Sequence, residues 1–371
     1  MTDPRFHDLA RQLVHRSTRV AAGDKLLIEA IDVPRLFVEA LIDACNEVGG
    51  IPFVQLRDQS VWRAALRHAT RPQLEILAGV DADLMKQMDA YIGVRGSRNV
   101  SEWSDIPKEQ IQLYEELYAK PVHFDIRVRD TRWCILRWPT SAMAQLAQMS
   151  TRAFEDFYFQ VCTLDYSKME RAAAALVERM ERTDRVRLVA PGTDLRFSIR
   201  DIPAIPCTGE MNIPDGEVFT APVKDSVEGT IQFNTPTIYQ GHTHEQVRLA
   251  FEQGRVVEAS SSNATHLEQI LDTDDGARFV GEFAIGFNPH ITKPMKDILF
   301  DEKIAGSIHF TPGQAYEEAD NGNRSKIHWD LVLRMRAEDG GGEVWFDDEM
   351  IRKDGLFVVD DLEPLNPEHL V

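Results

Sequence analysis

The chain changes character near Asp184, and this change constrains the fold more than any other feature of the sequence. Before it, short apolar segments alternate with stretches of helical periodicity. After it, short strands are separated by turns rich in Gly and Pro, and one further helix is predicted, at 263–271. Because 371 residues are many for a single hydrophobic core, the sequence predicts two domains, 1–184 and 185–371.

The first half has the pattern of a parallel sheet covered by helices. Lys25–Ala30 and Ile51–Leu56 are short apolar segments, and apolar residues recur at helical spacing from Asp32 to Val48 between them. Two more such segments, Tyr91–Val94 and Cys134–Arg137, continue the alternation. We therefore predict an α/β N-terminal domain with a parallel sheet, followed by a strand-rich α+β C-terminal domain.

A long helix is predicted just before the boundary between the two halves. Ser167 and Glu170 have the spacing of a capping box, in which each side chain bonds a backbone N–H of the other. Apolar residues then recur at helical spacing from Met169 to Met180, which predicts one buried stripe.

Composition excludes several classes of partner. The net charge of −19 disfavours nucleic acids and anionic membranes, because like charges repel. The four cysteines include no C-x-x-C pair and fit the reduced thiols of a cytoplasmic protein better than a disulfide framework. No apolar run approaches the length of a membrane span. The sequence therefore predicts a cytoplasmic protein that binds neither nucleic acid nor membrane.

Two predicted strands in the second half carry histidine among apolar residues. Lys326–Leu333 alternates with period two, which places His328 and Asp330 on one face and apolar side chains on the other. In the segment G-S-I-H-F, His309 turns away from its apolar neighbours. A strand that carries imidazole and carboxylate side chains among apolar residues usually binds something polar, and a metal ion is the natural candidate.

Two glutamates complete this candidate set. Glu217 follows the turn Pro214–Gly216 at the start of a strand, and Glu282 lies in the apolar segment V-G-E-F-A-I-G, where a buried carboxylate needs a partner. Taken singly, a solvated glutamate is the simpler interpretation of Glu217. Two glutamates, two histidines and an aspartate together supply enough donors for two divalent ions.

The segments that carry these residues resemble the M29 family of metallo-aminopeptidases, of the aminopeptidase T and aminopeptidase S type. They are N-I-P-D-G-E-V-F-T-A-P, V-G-E-F-A-I-G, L-F-D-E-K-I-A-G-S-I-H-F-T-P-G-Q-A-Y and N-R-S-K-I-H-W-D-L-V, in the family's order between Thr193 and Gly355. The resemblance implies a homodimer with an α/β N-terminal domain and a strand-rich metal-binding domain. It also implies a cocatalytic metal pair held by Glu217, Glu282, His309, His328 and Asp330, with Tyr316 near it.

The reaction that this resemblance implies is hydrolysis of the N-terminal residue from a peptide with a free N-terminus. Water or hydroxide would be activated by two divalent ions, most simply Zn, with Co or Mn as alternatives. Glu282 is expected to bridge the two ions. Tyr316 is expected to ligate a metal or to donate its hydroxyl to the tetrahedral oxyanion. The sequence offers no general base that is not also a ligand.

The same residues are compatible with two other functions. His309, His328 and Asp330 alone would form the two-His, one-carboxylate triad of a mononuclear Fe(II) oxygenase, and the ring-cleaving 2,5-dihydroxypyridine dioxygenases are similar to the M29 fold. The two glutamates, which a single iron does not need, favour hydrolysis. A non-catalytic binding protein would be expected to have damaged ligands, and none is damaged.

Two charged segments are left outside the predicted site. His242-Thr243-His244-Glu245 lacks the second histidine of the H-E-x-x-H motif, so it is predicted to be a solvated turn. Asp301 and Glu302 could anchor a substrate amine, but they are predicted to form a charged turn between strands.

Overall fold

The structure, a computed structural model, describes residues 3–371. The chain forms two compact units. One contains the residues up to Thr163 together with Gly209–Ile213, and the other contains Leu164–Thr208 and Pro214–Val371. The predicted boundary at Asp184 lies just after the helix Tyr166–Arg182, whereas the compact units divide just before that helix.

The helices begin and end as follows: α1 Pro4–Arg11, α2 Arg35–Glu47, α3 Gln59–Leu66, α4 Arg71–Met85, α5 Lys108–Tyr114, α6 Val128–Asp130, α7 Ser141–Leu146, α8 Thr151–Cys162, α9 Tyr166–Arg182, α10 Ala264–Leu271, α11 Ile298–Asp301 and α12 Pro367–Leu370. Two π-helical segments, Gln12–Ser17 and Glu115–Arg127, extend α1 and join α5 to α6. None of the helices in residues 3–371 is both long enough and apolar enough to span a bilayer.

The strands are β1 Lys25–Ile31, β2 Ile51–Arg57, β3 Ala90–Arg95, β4 Arg132–Arg137, β5 Arg185–Ala190, β6 Thr193–Ser198, β7 Ile205–Cys207, β8 Asn212–Ile213, β9 Glu217–Thr220, β10 Glu228–Gln232, β11 Thr237–Tyr239, β12 His242–His244, β13 Arg248–Glu252, β14 Arg255–Ser260, β15 Val280–Gly286, β16 Ser307–Pro312, β17 Leu331–Arg334, β18 Glu343–Phe346, β19 Glu349–Lys353 and β20 Leu356–Phe357. The first four predicted strands are therefore confirmed, with ends that shift by one or two residues.

The first unit is built on a parallel sheet of five strands in the order β2-β1-β3-β4-β8. Its inner strands β1 and β3 are buried along almost their whole length, which explains why they are apolar runs rather than alternating segments. Helix α2 connects β1 to β2 and buries one apolar face, as its spacing predicts. The predicted α/β architecture of this half is confirmed.

Helix α9 begins earlier than the capping box predicts. The Asp165 side chain accepts hydrogen bonds from the N–H groups of Ser167 and Lys168, so Asp165 is the N-cap. The Ser167–Glu170 box is therefore wrong, because Ser167 already lies inside the helix. The buried stripe through Met169, Leu176 and Met180 is as predicted.

Besides the two-stranded sheet β11-β12, the second unit contains two larger antiparallel sheets. One has eight strands in the order β14-β13-β10-β6-β5-β18-β19-β20, and the other has five in the order β17-β16-β15-β9-β7. Phe197 of the larger sheet contacts Phe283 and Phe310 of the smaller one, with ring centroids 4.9 and 5.1 Å apart. Because side chains alternate along a strand, the apolar residues of β15 and β16 enter this core and their polar neighbours occupy the opposite face.

Candidate metal centre

The register of three neighbouring strands places three of the predicted ligands on one face of the five-stranded sheet. Ala284 of β15 pairs with His309 of β16, and Gly286 of β15 pairs with Glu217 of β9. Glu282 shares the face of Ala284 and Gly286 because it lies two and four residues before them on the same strand. The small side chains at 284 and 286 leave this part of the face open to the acidic and imidazole groups.

The other two predicted ligands come from the segment that leads into β17. The strand predicted at Lys326–Leu333 is shorter than expected: regular pairing begins at Leu331, and before it the chain makes an isolated bridge between Gly313 and His328. The alternation persists, since His328 and Asp330 still point to one side. Thr311 donates its hydroxyl to Asp330 Oδ1 at 2.7 Å, which holds this carboxylate beside β16.

These five side chains form one continuous cluster with Glu282 at its centre. Glu282 Oε1 lies 3.1 Å from His309 Nε2, and Glu282 Oε2 lies 3.1 Å from His328 Nε2. The cluster extends on either side, from His309 Nδ1 to Glu217 Oε2 at 3.3 Å and from His328 Nε2 to Asp330 Oδ1 at 3.2 Å. The side chains form two groups, Glu217–Glu282–His309 and Glu282–His328–Asp330, that share Glu282.

Burial and charge perturb every pKa in this cluster. Burial raises the pKa of Glu217 above its usual range. Burial alone would lower the pKa of His309, but the Glu217 and Glu282 carboxylates outweigh it and raise this pKa to about 10. For Asp330, burial is outweighed by the neighbouring His328, so its pKa falls. The site thus concentrates negative charge that must be balanced by cations.

Lys303 supplies one such cation, and sequence reasoning missed it. Its side chain is 1% exposed, and its ammonium contacts Glu217 Oε1, with Glu302 Oε1 at 2.8 Å and Asp215 Oδ1 at 3.3 Å. Burial would lower the pKa of Lys303, but these carboxylates outweigh it and keep the amine protonated. In the sequence, Lys303 is one charge in a short charged run, and only the apolar residues on either side of that run hint at burial.

The prediction of a charged surface turn at Asp301 and Glu302 is wrong. Asp301 is buried and accepts hydrogen bonds from the backbone N–H groups of Met295 and Lys296, so it organises a loop. Glu302 lies against Lys303, and burial raises its pKa to about 8, with the charges of Glu217 and Asp330 adding to the rise and Lys303 opposing it. A carboxyl group with such a pKa can hold or release a proton near neutral pH.

Gly286 is what allows the 302–304 segment to approach the sheet. A Cβ atom at this position would lie 2.8 Å from the carbonyl oxygens of both Glu302 and Ile304, closer than real Cβ contacts come. With no side chain there, the backbone next to Lys303 packs directly on β15. The ammonium then reaches Glu217, which is paired with Gly286 across the strands.

Arg352 holds the neighbouring ends of β15 and β16 together. Its buried guanidinium donates to the backbone carbonyl oxygens of Ser307, Gly286 and Gly355 at 2.8, 2.9 and 3.0 Å. Burial lowers the pKa of Arg352 to about 9. Because Gly286 and Ser307 are paired residues of β15 and β16, this side chain locks the register on which the metal-site geometry depends.

Tyr316 lies at the edge of the cluster. Its ring centroid is 4.7 Å from that of His328 and 5.6 Å from that of Phe219, and its side chain is 47% exposed. The structure therefore brings the predicted tyrosine beside the predicted ligands, in a position that a substrate can reach.

The donor set fits divalent cations. Glu217 Oε2 and His309 Nδ1 are buried and lie 3.3 Å apart, but neither forms a hydrogen bond, an arrangement that costs free energy unless another ligand satisfies both atoms. His328 Nδ1 lies 2.8 Å from the carbonyl oxygen of Gln314, so Nδ1 carries a proton, and Nε2, which faces Glu282 and Asp330, is the nitrogen that would bind a metal. This pattern is typical of histidines that ligate metals.

Comparison with known proteins places this centre in a family. A family model described as thermophilic metalloprotease (M29) matches residues 2–355. The chain belongs to the M29 family. The resemblance inferred from its motifs is thus confirmed, as is the prediction of a hydrolase that acts on peptide bonds with the aid of a metal.

Among its M29 relatives is aminopeptidase T of Thermus thermophilus, which is 28% identical over 364 residues that cover 85% of this chain and 88% of the relative. Aminopeptidase 2 of Geobacillus stearothermophilus is 41% identical over an alignment of 144 residues, and this match covers 33% of this chain and 34% of the relative. These two proteins carry the family resemblance at the level of sequence.

Two solved structures share the fold over nearly the whole M29 chain. Wild-type AmpT from Thermus thermophilus superposes with a TM-score of 0.81 at 24% identity, covering 96% of this chain and 99% of that one. The 2,5-dihydroxypyridine dioxygenase of Pseudomonas putida KT2440 gives 0.61 at 13% identity, covering 96% and 98%. The fold alone therefore does not separate the two chemistries, whereas the family model does.

Removing the Lys303 ammonium tests its electrostatic role. In metal-depleted protein, Lys303→Met should lower the free energy of unfolding by about 3–5 kcal/mol, because it leaves buried carboxylates without their cation. Urea denaturation of the two proteins measures this difference. The exposed Lys293→Met should change the same quantity by less than about 0.5 kcal/mol. Equal values for the two variants would show that Lys303 balances no charge.

Proposed function

We propose that this protein is an aminopeptidase that removes the N-terminal residue of peptides with the aid of two divalent metal ions. The observation that carries the proposal is the position of Glu282, whose two oxygens face His309 and His328. A carboxylate between two imidazoles, with a further carboxylate beyond each, is suited to bridge two cations. The relatives' names, aminopeptidase T and aminopeptidase 2, support the choice of an N-terminal peptide bond.

Each proposed ligand has a distinct place. Glu217 and His309 would hold one ion, His328 and Asp330 the other, and Glu282 would bridge both. When bound, the two ions would lower the pKa of a water molecule, polarise the scissile carbonyl and bind the substrate's free α-amino group. The mixed imidazole and carboxylate donors suit Zn, with Co or Mn as alternatives.

The rest of the site orients these groups. Lys303 holds Glu217, and the Gln314 carbonyl and Thr311 hydroxyl fix His328 and Asp330. Tyr316 would place its hydroxyl near the substrate carbonyl and donate a hydrogen bond to the developing oxyanion. Glu302 is not one of the proposed metal ligands. Its pKa of about 8 makes it the carboxyl group best suited to exchange a proton near neutral pH.

The dioxygenase alternative has less support. It would use His309, His328 and Asp330 and would leave Glu217 and Glu282 without a role, although both are buried within the same cluster. The dioxygenase structure that shares the fold is 13% identical, and the M29 family model accounts for the same residues.

The first test is metal content together with cleavage of leucine p-nitroanilide. Elemental analysis should find at least two divalent ions per chain, and activity should appear with Zn, Co or Mn. Glu282→Gln should lose at least about 100-fold in activity, since replacing even an outer partner of a metal ligand costs 10–100-fold. The exposed Glu258→Gln is the matched control, and N-acetyl-leucine p-nitroanilide should resist cleavage. One iron per chain, with oxygen uptake on a dihydroxylated aromatic ring, would instead establish the dioxygenase.

Tyr316→Phe tests the tyrosine separately. If its hydroxyl donates to the oxyanion, the variant should keep both ions and its KM while kcat falls by about 10²–10³. Steady-state kinetics and metal analysis of one preparation distinguish this from ligation, which predicts metal loss. An unchanged kcat would remove Tyr316 from the mechanism.

We also propose a homodimer formed through β2. This strand is at the edge of the parallel sheet, and Ile51, Phe53, Val54 and Leu56 are exposed along it. An apolar strand of this kind on a monomer is unfavourable in water, and a second copy related by a two-fold axis would cover it.

Light scattering should give twice the chain mass, and Leu56→Glu should give a monomer. Val257→Glu, an exposed site on β14, should leave the dimer intact, and a monomeric parent protein would contradict the proposal.

The cytoplasm is the compartment that we propose. None of the four cysteines, all of which lie in the described residues, forms a disulfide, and three of them are buried, which suits a reducing environment. Fractionation of the source cells would test this.

A further inference from the structure

The histidine-rich segment 242–245, which is not part of the predicted metal site, contributes to a second cluster away from the five proposed ligands. β11 and β12 make a two-stranded hairpin in which Tyr239 pairs with His242 across the turn Gln240-Gly241. Both turn residues have positive φ, as tight hairpins require. His242 and His244 lie on the same face of β12 because they are two residues apart. The prediction of a solvated turn is wrong for His244, whose side chain is fully buried.

A third histidine approaches from helix α10. His266 Nδ1 lies 2.9 Å from His244 Nε2, and the His266 ring centroid is 4.2 Å from that of His242. Two ring nitrogens at this distance share one proton, so at least one of the two imidazoles is neutral. Burial lowers the pKa of both His244 and His266, which favours the neutral, metal-binding form.

The loop between β14 and α10 fixes both rings. Ser261 Oγ lies 3.2 Å from His244 Nδ1 and also accepts the N–H of Asn263. Asn263 in turn caps α10 by accepting the N–H of His266. A hydroxyl that accepts from Nδ1 leaves the Nε2 lone pair of His244 directed at His266. Metal-bound histidines are commonly oriented by such an outer partner.

One pair of nitrogens in this cluster has nearly the spacing of a metal site. Two nitrogens bound to one tetrahedral Zn²⁺ at about 2.0–2.1 Å are about 3.3 Å apart, so the 2.9 Å pair would open by a few tenths of an ångström and both rings would rotate until their lone pairs meet at the ion. His266 would then move its proton from Nδ1 to Nε2, which leaves the ring neutral. The exposed His242 ring, whose centroid is 4.2 Å from that of His266, would have to turn toward the same point to complete the site.

We propose that His242, His244 and His266 form an additional transition-metal site, independent of the proposed peptidase centre. Three neutral imidazoles without a carboxylate select Zn²⁺, Cu²⁺ or Ni²⁺ over Mg²⁺, Ca²⁺ or Mn²⁺. A water molecule would complete the tetrahedron.

Occupation of this site would tie the hairpin to α10 beside the peptidase centre. The His244 ring packs against Trp329 with centroids 5.0 Å apart, and Tyr239 stacks on the same indole at 4.8 Å. Trp329 lies between His328 and Asp330 in the chain. The ion would therefore hold the side chains that pack around the segment carrying two of the proposed ligands.

The test is the zinc stoichiometry of four proteins after equilibrium dialysis. The full-length chain and His68→Gln, which changes an exposed histidine of the other unit, should bind the same number of ions. His242→Gln and His266→Gln should each bind one ion fewer and should retain leucine p-nitroanilide hydrolysis. Because His242 is exposed, its replacement leaves the fold intact. Equal stoichiometry in all four proteins would overturn the proposal.

Two further proteins separate this inference from the proposed function. Glu282→Gln should still bind one Zn²⁺ per chain, at the histidine cluster. The double variant Glu282→Gln/His242→Gln should bind none there. If the main cluster failed to bind metal, the ion lost with His242 would still be measured. If the histidine cluster failed, the activity and metal content attributed to Glu282 would be unaffected.

Discussion

The need to balance buried negative charge governs the second unit of this protein. Glu217, Glu282 and Asp330 lie within contact distance of two imidazoles, with Glu302 and Asp215 close behind around Lys303. Isolated carboxylates in such a place are unstable, so they must be protonated, paired or bound to metal. Lys303 pairs with one end of the group. The two histidines and the proposed ions serve the remainder, so the groups that suit catalysis are also those that make the buried cluster tolerable.

This electrostatic arrangement depends on an exact strand register, which the backbone supplies. Gly286 lets the 302–304 segment pack on β15, and Arg352 binds the carbonyl oxygens at the paired ends of β15 and β16. A shift of one residue would turn Glu282 or His309 into the apolar core, since side chains alternate between faces. The aromatic contacts between the two sheets penalise the same shift, because they require Phe283 and Phe310 to point inward.

Sequence patterns revealed the parts of this design that are periodic or tied to family motifs. The alternation around His328 and Asp330 gave their common face, although regular pairing begins only at Leu331. Lys303 escaped notice because burial of a lysine depends on chain segments that meet only in the folded state. The same reason explains His244: H-x-H on a short strand carries no signal of the helix that brings His266 to it. Asp165, two residues earlier, is the cap in place of the box predicted at Ser167.

Arg352 has a consequence for how the centre responds to acid. Its three partners are backbone carbonyl oxygens, which do not titrate, and its own pKa of about 9 lies above the acid range. Acid that protonates the histidines and carboxylates would release metal without cutting the bonds that align β15 with β16. The strand register and the proposed metal ions would thus respond differently to acid. Protein from which the proposed ions were removed at moderately low pH would therefore keep the strand register on which the centre would re-form at neutral pH.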